Sequence, residues 1–319
     1  MQLATRTIRG SAPGPHLLIT GGVHGDEFEP MAAIRRLASE LSPQLLRGRV
    51  TLVPVVNEPA FTLAARCGPD GLDLARTCPG RADGSITEQI AAALSELIRA
   101  ADFYIDLHSG GVRMRVSPLT GYMLHADERV LTVQRQMAHA FNLPIVWGTD
   151  AALEGRSLSV ARDAGVPAIY AEYQGGGECD AAGVAAYVEG CLNVMALLGM
   201  IEREQPLSRI EQVVEDRRTG SGHMQVCYPA PIAGFFEPVV QLGQLVRVGE
   251  LLGNVTDLLG DDRQSITCEQ SGLVIVLRCL ASVAAGDSLA VVLELGERES
   301  LAPPRASMTP SASSKPSRS

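Results

Sequence analysis

The chain has 319 residues, 46% of them hydrophobic and 20% charged, with a formal net charge of -9, a balance that argues against a nucleic-acid or anionic-membrane binder and favours a small-molecule substrate. No apolar run reaches the ~18 to 20 residues of a membrane span, and "MQLATRTIRG" lacks the charged start and apolar core of a secretory signal, so a soluble cytoplasmic protein is expected. The seven cysteines are scattered without a Cys-x-x-Cys pair, so neither a zinc ribbon nor a disulfide framework is indicated, and the sole lysine, Lys315, lies in the tail, which excludes a Schiff-base lysine inside the fold.

The first predicted strand is "HLLIT" (16–20), followed by "GGVHGDEFEP" and by a helix whose stripe is Ile34, Leu37, Ala38 and Leu41 behind Pro30. "VTLVPVV" (50–56) is the next strand, and Ser85 and Glu88 have capping-box spacing ahead of the helical run "IAAALSELI". Strands follow at "FYIDLH" (103–108), "YMLHA" (122–126), "PIVWG" (144–148) and "PAIYAEY" (167–173), then a long helix over 181–200. This alternation predicts an α/β domain over 1–205, with a largely parallel or mixed sheet covered by helices on both faces. Residues 206–221 are polar and read as a linker, 222–298 form short β-runs punctuated by Gly243, Gly249, Gly253, Gly272 and Gly286, and the Ser- and Pro-rich 299–319 is expected to be disordered.

Three side chains carry the first chemical signal. His24 and Glu27 stand three apart after the first strand, and His108 ends a later one. Two nitrogens and one carboxylate are the donor set of a catalytic zinc site with an open fourth position, although either histidine alone reads as an ordinary satisfied side chain. Glu172 ends a strand ahead of three glycines, where a carboxylate can face a cleft as general base or acid; taken alone it is a solvated strand-end acid. Arg113 and Arg115 lie shortly after His108 and reach either the same cleft or a solvated edge.

Taken together, "GGVHGDEFEP", "NEPAF", "DGLDLAR", "YIDLHSGG" and "AEYQGGG", in that order, resemble the succinylglutamate desuccinylase/aspartoacylase family, a branch of the zinc-carboxypeptidase-like metallohydrolases. The resemblance covers about 15–200 and implies an α/β/α sandwich with a mixed sheet, followed by a small C-terminal all-β domain. It implies one Zn2+ per chain on His24, Glu27 and His108, although such a donor set also suits cobalt, manganese or iron. It assigns Glu172 as the catalytic base and acid, Arg66 as the group that polarises the scissile carbonyl, and Arg76 as a ligand for the substrate carboxylate. The family's asparagine ahead of that second arginine is replaced here by Ala75. The implied activity is a zinc-dependent deacylase that cleaves the amide bond of an N-acyl amino acid or related small amide by attack of metal-bound water. A metallocarboxypeptidase or esterase with the same metal core is the alternative within enzymes, and a catalytically weak binding or regulatory homologue is the alternative outside them. The β-domain resembles the barrel-sandwich modules of biotinyl and lipoyl carriers without their modified lysine, which leaves it as a structural cover, a homo-oligomer contact or part of the cleft wall.

Overall fold

The computed structural model describes residues 1–295. Strands and helices alternate through β1 (Arg6–Arg9), β2 (Ala12–Thr20), α1 (Phe28–Glu40), β3 (Arg47–Val53), α2 (Glu58–Thr62), α3 (Ile86–Arg99), β4 (Phe103–His108) and β5 (Met114–Met123). They continue through α4 (Glu128–Phe141), β6 (Ile145–Thr149), α5 (Ser157–Ala164), β7 (Ala168–Gly175) and α6 (Ala181–Leu197). After α6 come strands only, apart from one 3-10 turn over Met224–Val226: β8 (Gln212–Glu215), β9 (Gly234–Pro238), β10 (Leu245–Val246), β11 (Leu251–Thr256), β12 (Arg263–Thr267), β13 (Gly272–Arg278), β14 (Ser282–Val283) and β15 (Ala290–Leu293).

The central sheet has the order β1-β3-β2-β4-β7-β5-β13-β10, with β6 beside β5, β8 beside β6 and β15 beside β13. Strands β3, β2, β4 and β7 are parallel and β5 runs against β7, so the sheet is mixed. Alternation along each strand sends side chains to opposite faces. Leu17, Ile19, Ile105 and Leu107 meet α1, α4 and α6 on one face, while Leu18 and Tyr104 meet α3 and α5 on the other. The stripe Ile34, Leu37 and Ala38 is buried on α1 as its spacing predicts, with Leu41 partly buried beside it. Ser85 and Glu88 form the expected reciprocal cap of α3. No helix among the described residues is long and apolar enough to cross a membrane.

Three segments depart from the expectations. The strand expected at 122–126 begins at Met114 and ends at Met123, because a register shift between Val116 and Leu119 accommodates Ser117 and Pro118 and breaks the apolar pattern. The polar stretch 206–221 is not a free connection, since it supplies β8, which pairs in parallel with β6. The β-rich region from Gly222 is divided between two sheets: β12-β11-β9-β14 form a sheet of their own, whereas β13 pairs antiparallel with β5 and carries β10 and β15 into the central sheet. The expected disordered tail, Lys315 and the last residues of the predicted β-domain lie outside the described residues.

Strand β8 is fastened by charge as well as by pairing. Glu215 accepts from the Tyr122 hydroxyl at 2.8 Å and from Arg135 Nε and Nη2 at 2.7 and 3.0 Å. The variant Glu215→Ala leaves the buried Tyr122 hydroxyl without its acceptor, and is expected to lower stability by about 1–3 kcal/mol at an unchanged m-value in urea denaturation.

Candidate active site

The site lies at the C-terminal ends of β2, β4 and β7, on the face that carries α3 and α5. The loop after β2 presses onto α2 at Gly25, where a Cβ would lie 2.0 Å from the Ala60 carbonyl carbon, so glycine is required for that approach. This turn brings His24 back over the strand ends. Glu27 occupies the N-cap position of α1 but caps nothing. Its carboxylate instead lies 2.6 Å from His24 Nδ1 and 3.1 Å from His108 Nδ1. One ligand atom from each of the three residues falls within 4.8 Å of the others.

The opposite nitrogen of each ring faces a carboxylate: His24 Nε2 is 3.1 Å from Asp73 Oδ1, and His108 Nε2 is 3.1 Å from Asp106 Oδ2. Asp106 is completely buried and accepts from Thr20 Oγ1 at 2.7 Å and from the Ser157 hydroxyl. With both Nε2 atoms donating to aspartates, both Nδ1 atoms present lone pairs to an acceptor, the Glu27 carboxylate. Such a cluster needs a cation, or a further proton on each ring, at its centre. Burial works against the charge on Glu27, but the two histidines hold its carboxyl well below the usual range. The donor set therefore fits a single divalent ion of the kind bound by nitrogen and oxygen.

Glu172 pairs with His108 in the parallel register of β4 and β7, so the two side chains project from the same face at the same level. The carboxylate is 7% exposed, and its Oε2 atom has no hydrogen-bond partner. Burial is the main cause that pushes its pKa up to about 8, reinforced by the Glu27 charge and opposed by His108 and Arg66. Arg66 donates to Asp73 Oδ2 through Nε at 3.1 Å and Nη2 at 2.9 Å, and its Nη1 lies 3.4 Å from His24 Nδ1. One aspartate thus orients both a histidine and an arginine.

Two cavities meet here, sharing His24, Arg66, Glu172, Met224 and Gln225 in their walls. The first, of about 80 Å³, is lined further by Ala75, Arg76, Arg156 and Tyr170. The second, of about 340 Å³, extends toward Arg113, Arg278 and Asp287. Arg76 donates through Nη1 to the Ala75 carbonyl at 2.6 Å and through Nη2 to Gln225 Oε1. Burial, and then the proximity of Arg156, push Arg76 down to about 10. Burial lowers Arg156 too, and its Nη2 atom is buried without a hydrogen-bond partner. Two half-buried guanidinium groups in the wall of one cavity can receive an anion.

Of the residues expected from sequence, His24, Glu27, His108, Glu172, Arg66 and Arg76 all converge on these cavities, and Arg113 lines the larger one. Arg115 lines neither, its guanidinium lying instead beside Gly176. Arg156 was not anticipated. A helix that leads into a strand runs back along it, so the start of α5 sits beside the end of β7, and this topology is the one clue to Arg156. Nothing in the sequence pointed to Gln225, which lies 149 positions beyond Arg76.

A mixed α/β fold with a buried His-Glu-His cluster at its strand ends, flanked by the Glu172 carboxylate and by Arg76 and Arg156, defines a hydrolase-type candidate metal centre. The chain belongs to the succinylglutamate desuccinylase/aspartoacylase family: residues 13–198 match the succinylglutamate desuccinylase/aspartoacylase catalytic domain. It is similar to N-alpha-acetyl-L-2,4-diaminobutyric acid deacetylase of Halomonas elongata, at 32% identity over 91% of this chain and 85% of that protein. Among solved structures it resembles the succinylglutamate desuccinylase/aspartoacylase of Rhodobacter sphaeroides, with a TM-score of 0.81 and 29% identity over 92% of this chain and 89% of the other. It also resembles the product-bound ectoine utilization protein EutE (DoeB) of Ruegeria pomeroyi, with a TM-score of 0.80 and 30% identity over 90% and 87% of the two chains.

Proposed function

We propose that the protein is a zinc-dependent deacylase that hydrolyses the amide bond of an N-acyl amino acid. The observation that carries this reading is the unpartnered Glu172 oxygen at the junction of the two cavities, beside the His24, Glu27 and His108 cluster and opposite Arg76 and Arg156. The acetyl-diaminobutyrate deacetylase of Halomonas elongata supports it, being a relative named for removal of an acyl group from an amino acid. A zinc ion held by His24, Glu27 and His108 would supply Lewis-acid polarisation of the scissile carbonyl and a lowered pKa for water at the site.

The chain's own groups do the rest. Glu172 accepts the proton of the attacking water and returns it to the departing amine nitrogen, a role suited to a carboxyl whose burial has raised its pKa toward neutrality. Arg66, locked by its two bonds to Asp73, faces the carbonyl oxygen and stabilises the negative charge that develops on it. Arg76 and Arg156 hold the substrate carboxylate in the smaller cavity, and the acyl group points into the larger one. Asp73 and Asp106 keep the two imidazoles in the tautomer that leaves Nδ1 free.

A panel of N-acyl amino acids, each compared with the same compound carrying a primary amide in place of its carboxylate, tests the reading. Wild-type protein is expected to prefer the acids, and Arg156→Ala to reduce kcat/KM for them by about tenfold or more while hardly affecting the amides. Equal turnover of acids and amides by the wild type would sink the carboxylate subsite, and no turnover of any member by zinc-loaded protein would sink the deacylase reading.

A further inference from the structure

We infer that Gln225 is a positioning residue for the substrate carboxylate, its side-chain oxygen holding Arg76 while its amide nitrogen faces the ligand. The inference deepens the proposed function and rests on the reading of Arg76 and Arg156 as the carboxylate subsite.

Arg76 has no acidic partner among the described residues. Its guanidinium is held by two neutral oxygens, the Ala75 carbonyl and Gln225 Oε1. Neutral acceptors fix the orientation of the fork without cancelling its charge, which an ion pair with a carboxylate would do. A primary amide is also divided: with its oxygen committed to Arg76, its nitrogen keeps two donors. That nitrogen has no acceptor among the described residues, and Gln225 lines both cavities. Gln225 is exposed and shares the wall of the smaller cavity with Arg76 and Arg156, so its free donors and the two guanidinium groups can meet one anionic ligand.

The backbone beneath Gln225 is anchored. Its 3-10 turn is fastened by the Ser288 hydroxyl, which lies 2.7 Å from the Met224 carbonyl oxygen and 2.8 Å from that of Cys227. Ser288 is buried just ahead of β15, whose partner β13 pairs with β5. The glutamine is thus presented to the anion subsite by the C-terminal β-region, which makes that region a contributor to substrate recognition as well as a cover.

Two variants separate holding Arg76 from serving the ligand. Gln225→Ala removes both functions and is expected to raise KM for an N-acyl amino acid about tenfold, with the loss falling on KM rather than kcat. Gln225→Glu keeps an acceptor for Arg76 but replaces the donors by a negative charge, so KM is expected to rise at least as far for the acid and to change little for the corresponding primary amide. An unchanged KM in Gln225→Ala, or a Gln225→Glu protein that binds the acid as well as wild type, overturns the inference while the deacylase reading stands. Absence of N-acyl amino acid hydrolysis in wild-type protein overturns both.

Discussion

Glu172→Gln is expected to fold normally, bind zinc normally, and lose about 10²- to 10⁴-fold in kcat, the range associated with removal of a general acid or base. The substitution is nearly isosteric and keeps the β4–β7 register in which Glu172 faces His108. It removes the capacity to take a proton while leaving a polar group in the same small space. The pH dependence gives a second signature. Only the carboxylate can act as base, so the rate should rise with pH along an acid limb set by Glu172, and a nearby divalent cation should move that limb below the value of about 8 to which burial pushes the metal-free group.

Stability of the metal-free protein should change in the opposite sense. Between the ordinary glutamate value of about 4.3 and the folded-state value, the folded protein holds a proton that the unfolded chain has released, so stability falls as pH rises. Glutamine has no proton to lose, and the variant's melting temperature should not share that decline. Parallel pH profiles of kcat and of thermal denaturation in chelator provide the check; wild-type kcat in the variant would remove Glu172 from the mechanism.

Deletion of an imidazole from the cluster is expected to abolish metal binding and activity together. Purified wild-type protein should contain about one zinc per chain by mass spectrometry, as a mononuclear site requires, and His108→Ala should contain almost none. The variant also strips Glu27 and Asp106 of their shared partner, leaving two buried carboxylates, so lower stability is expected as well. Chelation of the wild type provides the control that leaves every side chain in place. Activity should vanish with zinc and return on its addition. Zinc at about a thousand times its Kd should stabilise the wild type by ~4 kcal/mol and the variant not at all. Full activity after exhaustive chelation would end the metal hypothesis.

The legible parts of this protein were those with local signatures. A reciprocal cap announced α3, and a helical stripe announced α1. His24, Glu27, His108 and Glu172 could be singled out because each closes or follows a predicted strand, and ends of neighbouring parallel strands converge. What escaped depends on distant pairing. The first half of β5 was obscured by Pro118 and the register shift around it, and β8 looked like a connection because its four residues sit within a polar stretch. The attachment of β13 to β5 has no local signal at all. Arg156 and Gln225 escaped for the same reason, since each reaches the cavities through topology rather than through a motif.

The seam between β5 and β13 also bears on the order of synthesis. One edge of β5 is complete early, against β7, while the other is divided, with β6 taking Leu119 to Met123 and β13 taking Met114 to Val116. The partners of those first residues, Val276 to Arg278, leave the ribosome long after β5 itself, and Ser288, which steadies the turn of Gln225, leaves later still. At ~5–20 residues per second the interval is on the order of ten seconds, during which the nascent chain bears an unpaired strand edge next to the strand that carries Glu172. A ribosome-bound or prematurely ended chain thus already contains His24, Glu27 and His108 but lacks one wall of the larger cavity. The larger cavity is closed only when Val276, Arg278, Asp287 and Ser288, which line it, have all emerged.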